Sequence, residues 1–123
     1  MLMVWGAQNV GILADTRFLT PGFDTGAAGL TAIGVYVSDV VTAARMRVRH
    51  NTTTGETNAI TYRLRKNGAN TLLFVSLAPN VAEGSNLNDE IDLASGDLIE
   101  VIATKSGILL NGALNPTVSI ELL

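Results

Sequence analysis

Apolar and polar residues alternate with a period of two along much of this chain, the spacing that sends successive side chains to opposite faces of a β-sheet. In Ala44-Arg45-Met46-Arg47-Val48-Arg49 the small and apolar residues face one way and three arginines the other. Ile60-Thr61-Tyr62-Arg63-Leu64-Arg65 repeats the pattern, which suits strands with one wet face. Further strands are predicted at 17–20, 31–37, 71–77, 88–93, 97–104 and 117–122, the last with Val118, Ile120 and Leu122 on one face, which makes about eight in all. Residues 40–49 hold the helix-like pair Ala43 and Ala44, but Val40, Val41, Thr42 and Val48 are β-branched and favour a strand there too.

Turn chemistry falls between these runs. Asn67-Gly68 suits the positive φ of a hairpin, and Ser95-Gly96-Asp97 is a second such turn between two strand-like segments. Polar loops are expected at 52–56 and 79–86, and a Gly-rich loop at 21–29. The segments 72–77 and 98–102 are apolar almost without interruption, so both faces of those strands call for cover, either from loops or from another subunit. The predicted fold is an all-β, single-domain antiparallel sandwich, with residues 1–16 an N-terminal arm or first strand and 17–123 the sandwich itself.

Composition narrows the function. At 123 residues one core suffices, and 47% hydrophobic with 15% charged residues is too apolar for a disordered tail and too often broken by Gly, Asn and Asp for a membrane span. No cysteine is present, so packing must replace disulfides and thiolate metal sites. A net charge of −3 argues against nucleic acid as a partner, because that binding draws on Lys and Arg at phosphates. The start Met1-Leu2-Met3-Val4-Trp5 is apolar but lacks a basic leader and is interrupted by Gly6, Gln8 and Asn9, so it reads as part of the mature protein rather than a secretory signal.

Candidate chemistry is sparse. His50 is the sole histidine, and zinc would then need carboxylates that structural sites seldom use. Asp89, Glu90 and Asp92 are oxygen donors without the spacing of a calcium loop, so no metal or other cofactor is expected. No Gly-x-Ser-x-Gly elbow accompanies His50, and aromatic residues at 5% offer few sugar platforms, so an enzyme is not expected. Asn51-Thr52-Thr53 has the form of a glycosylation acceptor but is read as a turn.

The residues of interest for binding a partner are Trp5, Arg45, Arg47, Arg49, Arg63 and Arg65. With Lys66, the five arginines make six of the eight basic residues and would form one cationic face if their strands were neighbours. The bland alternative is a solvated stripe neutralised by the acidic segment 83–100. Trp5 either anchors an arm on a neighbour or fills its own core.

The string Leu93-Ala94-Ser95-Gly96-Asp97-Leu98-Ile99-Glu100-Val101, with the Arg63-to-Gly68 hairpin before it and Val118-Ser119-Ile120-Glu121-Leu122 after it, resembles the late segments of complement-type and tumour-necrosis-factor-like jelly rolls and of bacteriophage virion proteins. The likeness covers about half the chain. It implies a jelly roll and a homotrimer. It also implies a non-enzymatic decoration, or cement, protein on the capsid surface of the virion, bridging copies of the major capsid protein. The alternative is a receptor- or glycan-binding head of a tail fibre. A secreted cytokine-like or spore-surface jelly roll is a third class. The short run from Met1 to the first strands favours decoration over a head carried on a shaft.

Overall fold

The structure, a computed structural model, describes residues 1–22, 26–52, 55–110 and 114–123. Among these residues there is no helix. Eleven strands form: β1 (Leu2–Gly6), β2 (Thr16–Phe18), β3 (Thr20–Pro21), β4 (Val35–Tyr36), β5 (Val41–Asn51), β6 (Ile60–Lys66), β7 (Ala69–Leu77), β8 (Glu83–Asn86), β9 (Ile91–Leu93), β10 (Leu98–Lys105) and β11 (Leu114–Leu122). One sheet runs β3-β1-β11-β5-β8, with β9 also on β5; the other runs β2-β10-β6-β7, with β4 also on β10. We call them the first and second sheets.

Every strand pairing is antiparallel, and the pairings run inward from the chain ends. The first strand pairs with the last, β2 and β4 with β10, β5 with β8 and β9, and β6 with β7, with successive pairs alternating between the sheets. That winding is a jelly roll, two Greek keys closed over one core. Its eight positions correspond to the roughly eight strands expected. The higher strand number arises because β2 and β4 share one position, β8 and β9 share another, and β3 is a short piece on the edge of β1.

Several predicted boundaries move. The strand expected over 31–37 narrows to Val35–Tyr36, and that over 88–93 to Ile91–Leu93. The loop expected at 79–86 contributes β8, although Gly84 breaks any apolar alternation there. The tight fit explains the glycine: a Cβ at Gly84 would stand 2.9 Å from Leu77 Cδ2 and 3.0 Å from Val75 Cγ1. The Gly-rich loop at 21–29, the loop at 52–56 and the Asn51-Thr52-Thr53 string lie partly outside the described residues.

The core collects the inward positions of both sheets: Met46 and Val48 of β5, Val118 and Ile120 of β11, Tyr62 and Leu64 of β6, and Val101 of β10 are all buried. Trp5 is fully buried among them on β1. The alternation in β5 holds from Met46 to Asn51, but Ala43 and Ala44 are both buried because a bulge intervenes. Arg45 takes φ of 53° there, and the extra residue shifts the register, so that Ala43 faces Leu122 on the core side while Ala44 is buried opposite the outward Glu121.

The two turns singled out above meet at one pole of the sandwich. Asn67 and Gly68 both have positive φ, as does Gly96. Asn67 Nδ2 donates to Asp97 Oδ1 at 2.8 Å, and Asn67 Oδ1 accepts from the Leu98 amide at 2.9 Å. Asp97 also accepts from the Ala94 amide, and this bond, followed by that from Asn67, holds its carboxyl below the ordinary range.

Candidate functional site

The arginine stripe divides. Since β5 belongs to the first sheet and β6 to the second, Arg45, Arg47 and Arg49 lie on one outer face and Arg63 and Arg65 on the opposite one. The single cationic face that neighbouring strands would have made does not form, because β5 and β6 belong to different sheets, and strand order cannot be read from alternation. Trp5 is no external anchor: its ring fills the core, and its Nε1 has no hydrogen-bond partner among the described residues.

On the outer face of the first sheet, Arg45 is re-aimed by the bulge and pairs with Glu121 at 2.7 Å. Arg47 and Arg49 continue along the strand in a different setting. Arg49 stands between Thr117 of β11 and Glu83 of β8, and Arg47 between Ser119 and Ser85. These residues line a shallow trough of about 610 Å³. Among the described residues neither guanidinium has an ion-pair or hydrogen-bond partner. Within the chain the acidic segment makes no ion pair with either of them, although Glu83 is the direct cross-strand neighbour of Arg49.

The outer face of the second sheet has another character. Phe18, Ile102, Arg63 and Phe74 form one row across its four strands. The Arg63 guanidinium lies 4.1 Å from the centre of the Phe74 ring and donates to Thr71 O at 2.7 Å. Arg65 reaches toward Phe18, 5.8 Å from its ring centre, and donates to Gly68 O. Packing of this kind buries Ile102 although it points outward, and so supplies some of the cover that the apolar run 98–102 required. Glu100, opposite Arg65, is 2% exposed, and among the described residues neither its Oε2 nor Arg65 Nε has a hydrogen-bond partner. The register of β6 and β7 shifts beside Leu72, which stands 69% exposed; Tyr36, on β4 toward the other edge of the sheet, is 73% exposed.

At the pole opposite the two turns, polar groups that the sequence reading passed over tie down the loops. Lys105 follows Ile99, Val101 and Ala103 on the inward parity of β10, a position where period two alone marks a charge as anomalous. Its Nζ donates to Val10 O at 2.8 Å and to Asp15 Oδ1 at 2.7 Å, and Arg17 grips Asp15 from the other side at 3.0 Å. The hydrogen bonds from Arg17 and then Lys105 hold the Asp15 carboxyl down at about 2, while burial lowers Lys105 against the opposing pull of Asp15. Glu56 accepts from the amides of Thr57 and Leu110.

His50 is structural in the same sense. Its Nε2 lies 2.8 Å from Val81 O, a pure acceptor, so that nitrogen carries the proton, and Nδ1 accepts from the Tyr62 hydroxyl at 2.8 Å. Burial lowers the imidazole's pKa, partly offset by the Val81 bond, and raises that of Tyr62. Among the described residues no group of three or more His, Asp or Glu side chains stands together as a metal site; Asp89 bonds Asn86 Nδ2 and Asp92 bonds Thr42 instead. No described helix is long and apolar enough to cross a membrane.

Neither a family model nor a curated protein sequence matches this chain.

Proposed function

We propose that this protein is a non-enzymatic structural component of a bacteriophage particle. In this reading a homotrimeric jelly roll decorates the outer capsid surface and bridges copies of the major capsid protein. The observation that carries the reading is the outer face of the second sheet, where Phe18, Phe74, Leu72 and Tyr36 share a surface with Arg63 and Arg65. Aromatic residues and arginine, with few lysines and acids, are the composition enriched in interface centres. An exposed Leu72 and Tyr36 are surface that association would remove from water, at about 25 cal/mol per Å². A protein attached in this way stabilises the shell by its own binding free energy.

The test has two parts. Light scattering at micromolar concentration is expected to give three times the 12.9 kDa chain mass, and purified capsids are expected to retain the protein in many copies per particle. A monomer that capsids do not retain overturns the proposal.

A further inference from the structure

We infer that the trough on the outer face of the first sheet is a binding site for an acidic sugar, with Arg47 and Arg49 receiving its carboxylate. Every other basic side chain is already engaged. Arg17 and Lys105 meet Asp15, Arg45 meets Glu121, Lys66 meets Asp97, and Arg63 and Arg65 donate to Thr71 O and Gly68 O. The two free guanidiniums are not scattered over the surface. They project from alternate positions of one strand, roughly 7 Å apart by strand geometry, into the same concavity. The bulge removes Arg45 from the row, so the stripe of three becomes a pair facing a hollow.

The surroundings choose among anions. Ser119 and Thr117 flank the arginines on one side and Ser85 and Glu83 on the other, and none of these side chains makes a hydrogen bond or ion pair among the described residues. Three hydroxyls and a carboxylate suit a ligand rich in hydroxyl groups. Glu83 accepts from such groups, and it disfavours a ligand of high negative charge such as a phosphate or a run of acidic residues. The guanidinium fork matches a single carboxylate in two parallel hydrogen bonds. With a net charge of −3 the molecule as a whole does not attract anions, so the selectivity belongs to this pair. Three strands span the trough, about 10 Å at ordinary strand spacing, which accommodates sugar rings lying across the sheet. The inference is independent of the assembly proposal, because the trough and the Arg63 face lie on opposite sides of the sandwich.

The experiment is an amide-resolved NMR titration of the intact chain with galacturonate oligomers. Matched neutral galactose oligomers, a glutamate hexapeptide and inorganic phosphate are run alongside. Saturable shifts at Arg47, Arg49, Ser85 and Ser119 with the uronate series alone, with a Kd of about 1 mM, are the expected result. The double variants Arg47→Gln/Arg49→Gln and Arg47→Lys/Arg49→Lys are each expected to weaken binding about tenfold or more, the second because lysine keeps the charge but lacks the fork. Lys66→Gln, which removes a cation at the turn pole, is expected to leave binding unchanged. Since both altered side chains are exposed, the rest of each variant's spectrum is expected to superpose on the parent's. The inference is overturned by no saturable shift with uronates, by an equal response to the neutral oligomers, or by a response to the hexapeptide or to phosphate as strong as that to uronates.

Discussion

Lys105 is a charge in a place built for an aliphatic side chain, and its surroundings set what its loss of partner costs. Asp15→Asn keeps an acceptor for the buried Lys105 ammonium but removes its counter-charge, and is expected to destabilise the fold by about 3 kcal/mol in urea denaturation. The Asp15 carboxyl titrates near 2 in the fold and near 3.8 when unconstrained. Its contribution is therefore complete above the ordinary carboxylate value and disappears as pH falls through the folded one, and the acid limb of the stability curve is expected to flatten in Asp15→Asn. His50 acts in the same direction at milder pH. Because its folded pKa lies below 6.5, its contribution is full above that value and declines as pH falls beneath it. The urea midpoint is expected to drop between pH 8 and pH 5 in the parent protein and to be less pH-dependent in His50→Gln. Tyr62→Phe strips Nδ1 of its donor and is expected to cost about 1 to 2 kcal/mol at neutral pH.

At the scale of strands and turns, the glycines separate what alternation predicts from what contact demands. Asn67-Gly68 was legible because a two-residue hairpin needs positive φ at both positions, and the structure has it there. Gly84 was not legible, since the demand comes from Val75 and Leu77 on the other sheet. Gly84→Ala is expected to force β8 away from β7 and cost about 1 to 3 kcal/mol by thermal unfolding, whereas Gly68→Ala acts through its backbone angle alone. The long strands β5, β6, β10 and β11 were visible because each alternates over a solvated face or a long apolar run. Two-residue strands such as β3 and β4 carry no period at all and exist only through the neighbours they pair with.

For the molecule as a whole, the same limit applied to the candidate site. The arginines were legible one strand at a time, and which of them share a face depended on strand order, a property of distant pairing rather than local pattern. The winding itself rests on pairings between distant parts of the chain, the first strand with the last above all, which no local pattern announces. If the second sheet's outer face mediates association, Leu72→Asp is expected to reduce the association constant by about tenfold or more in light scattering while leaving the unfolding midpoint nearly unchanged, because Leu72 already faces water.

The rim beside that face has its own guard. β7 ends its sheet, and Asn86 Nδ2 donates both to the Phe74 carbonyl at 3.1 Å and to Asp89 Oδ2 at 2.9 Å. An incoming strand seeking that carbonyl finds it taken, and the nearby carboxylate repels acidic newcomers. Self-recognition through the flat of the sheet can close into a finite ring, but zipping along its border would grow without end into fibrils. Asn86→Ala, by unblocking the border, is expected to leave the monomer folded yet shorten the lag before thioflavin-positive aggregates form.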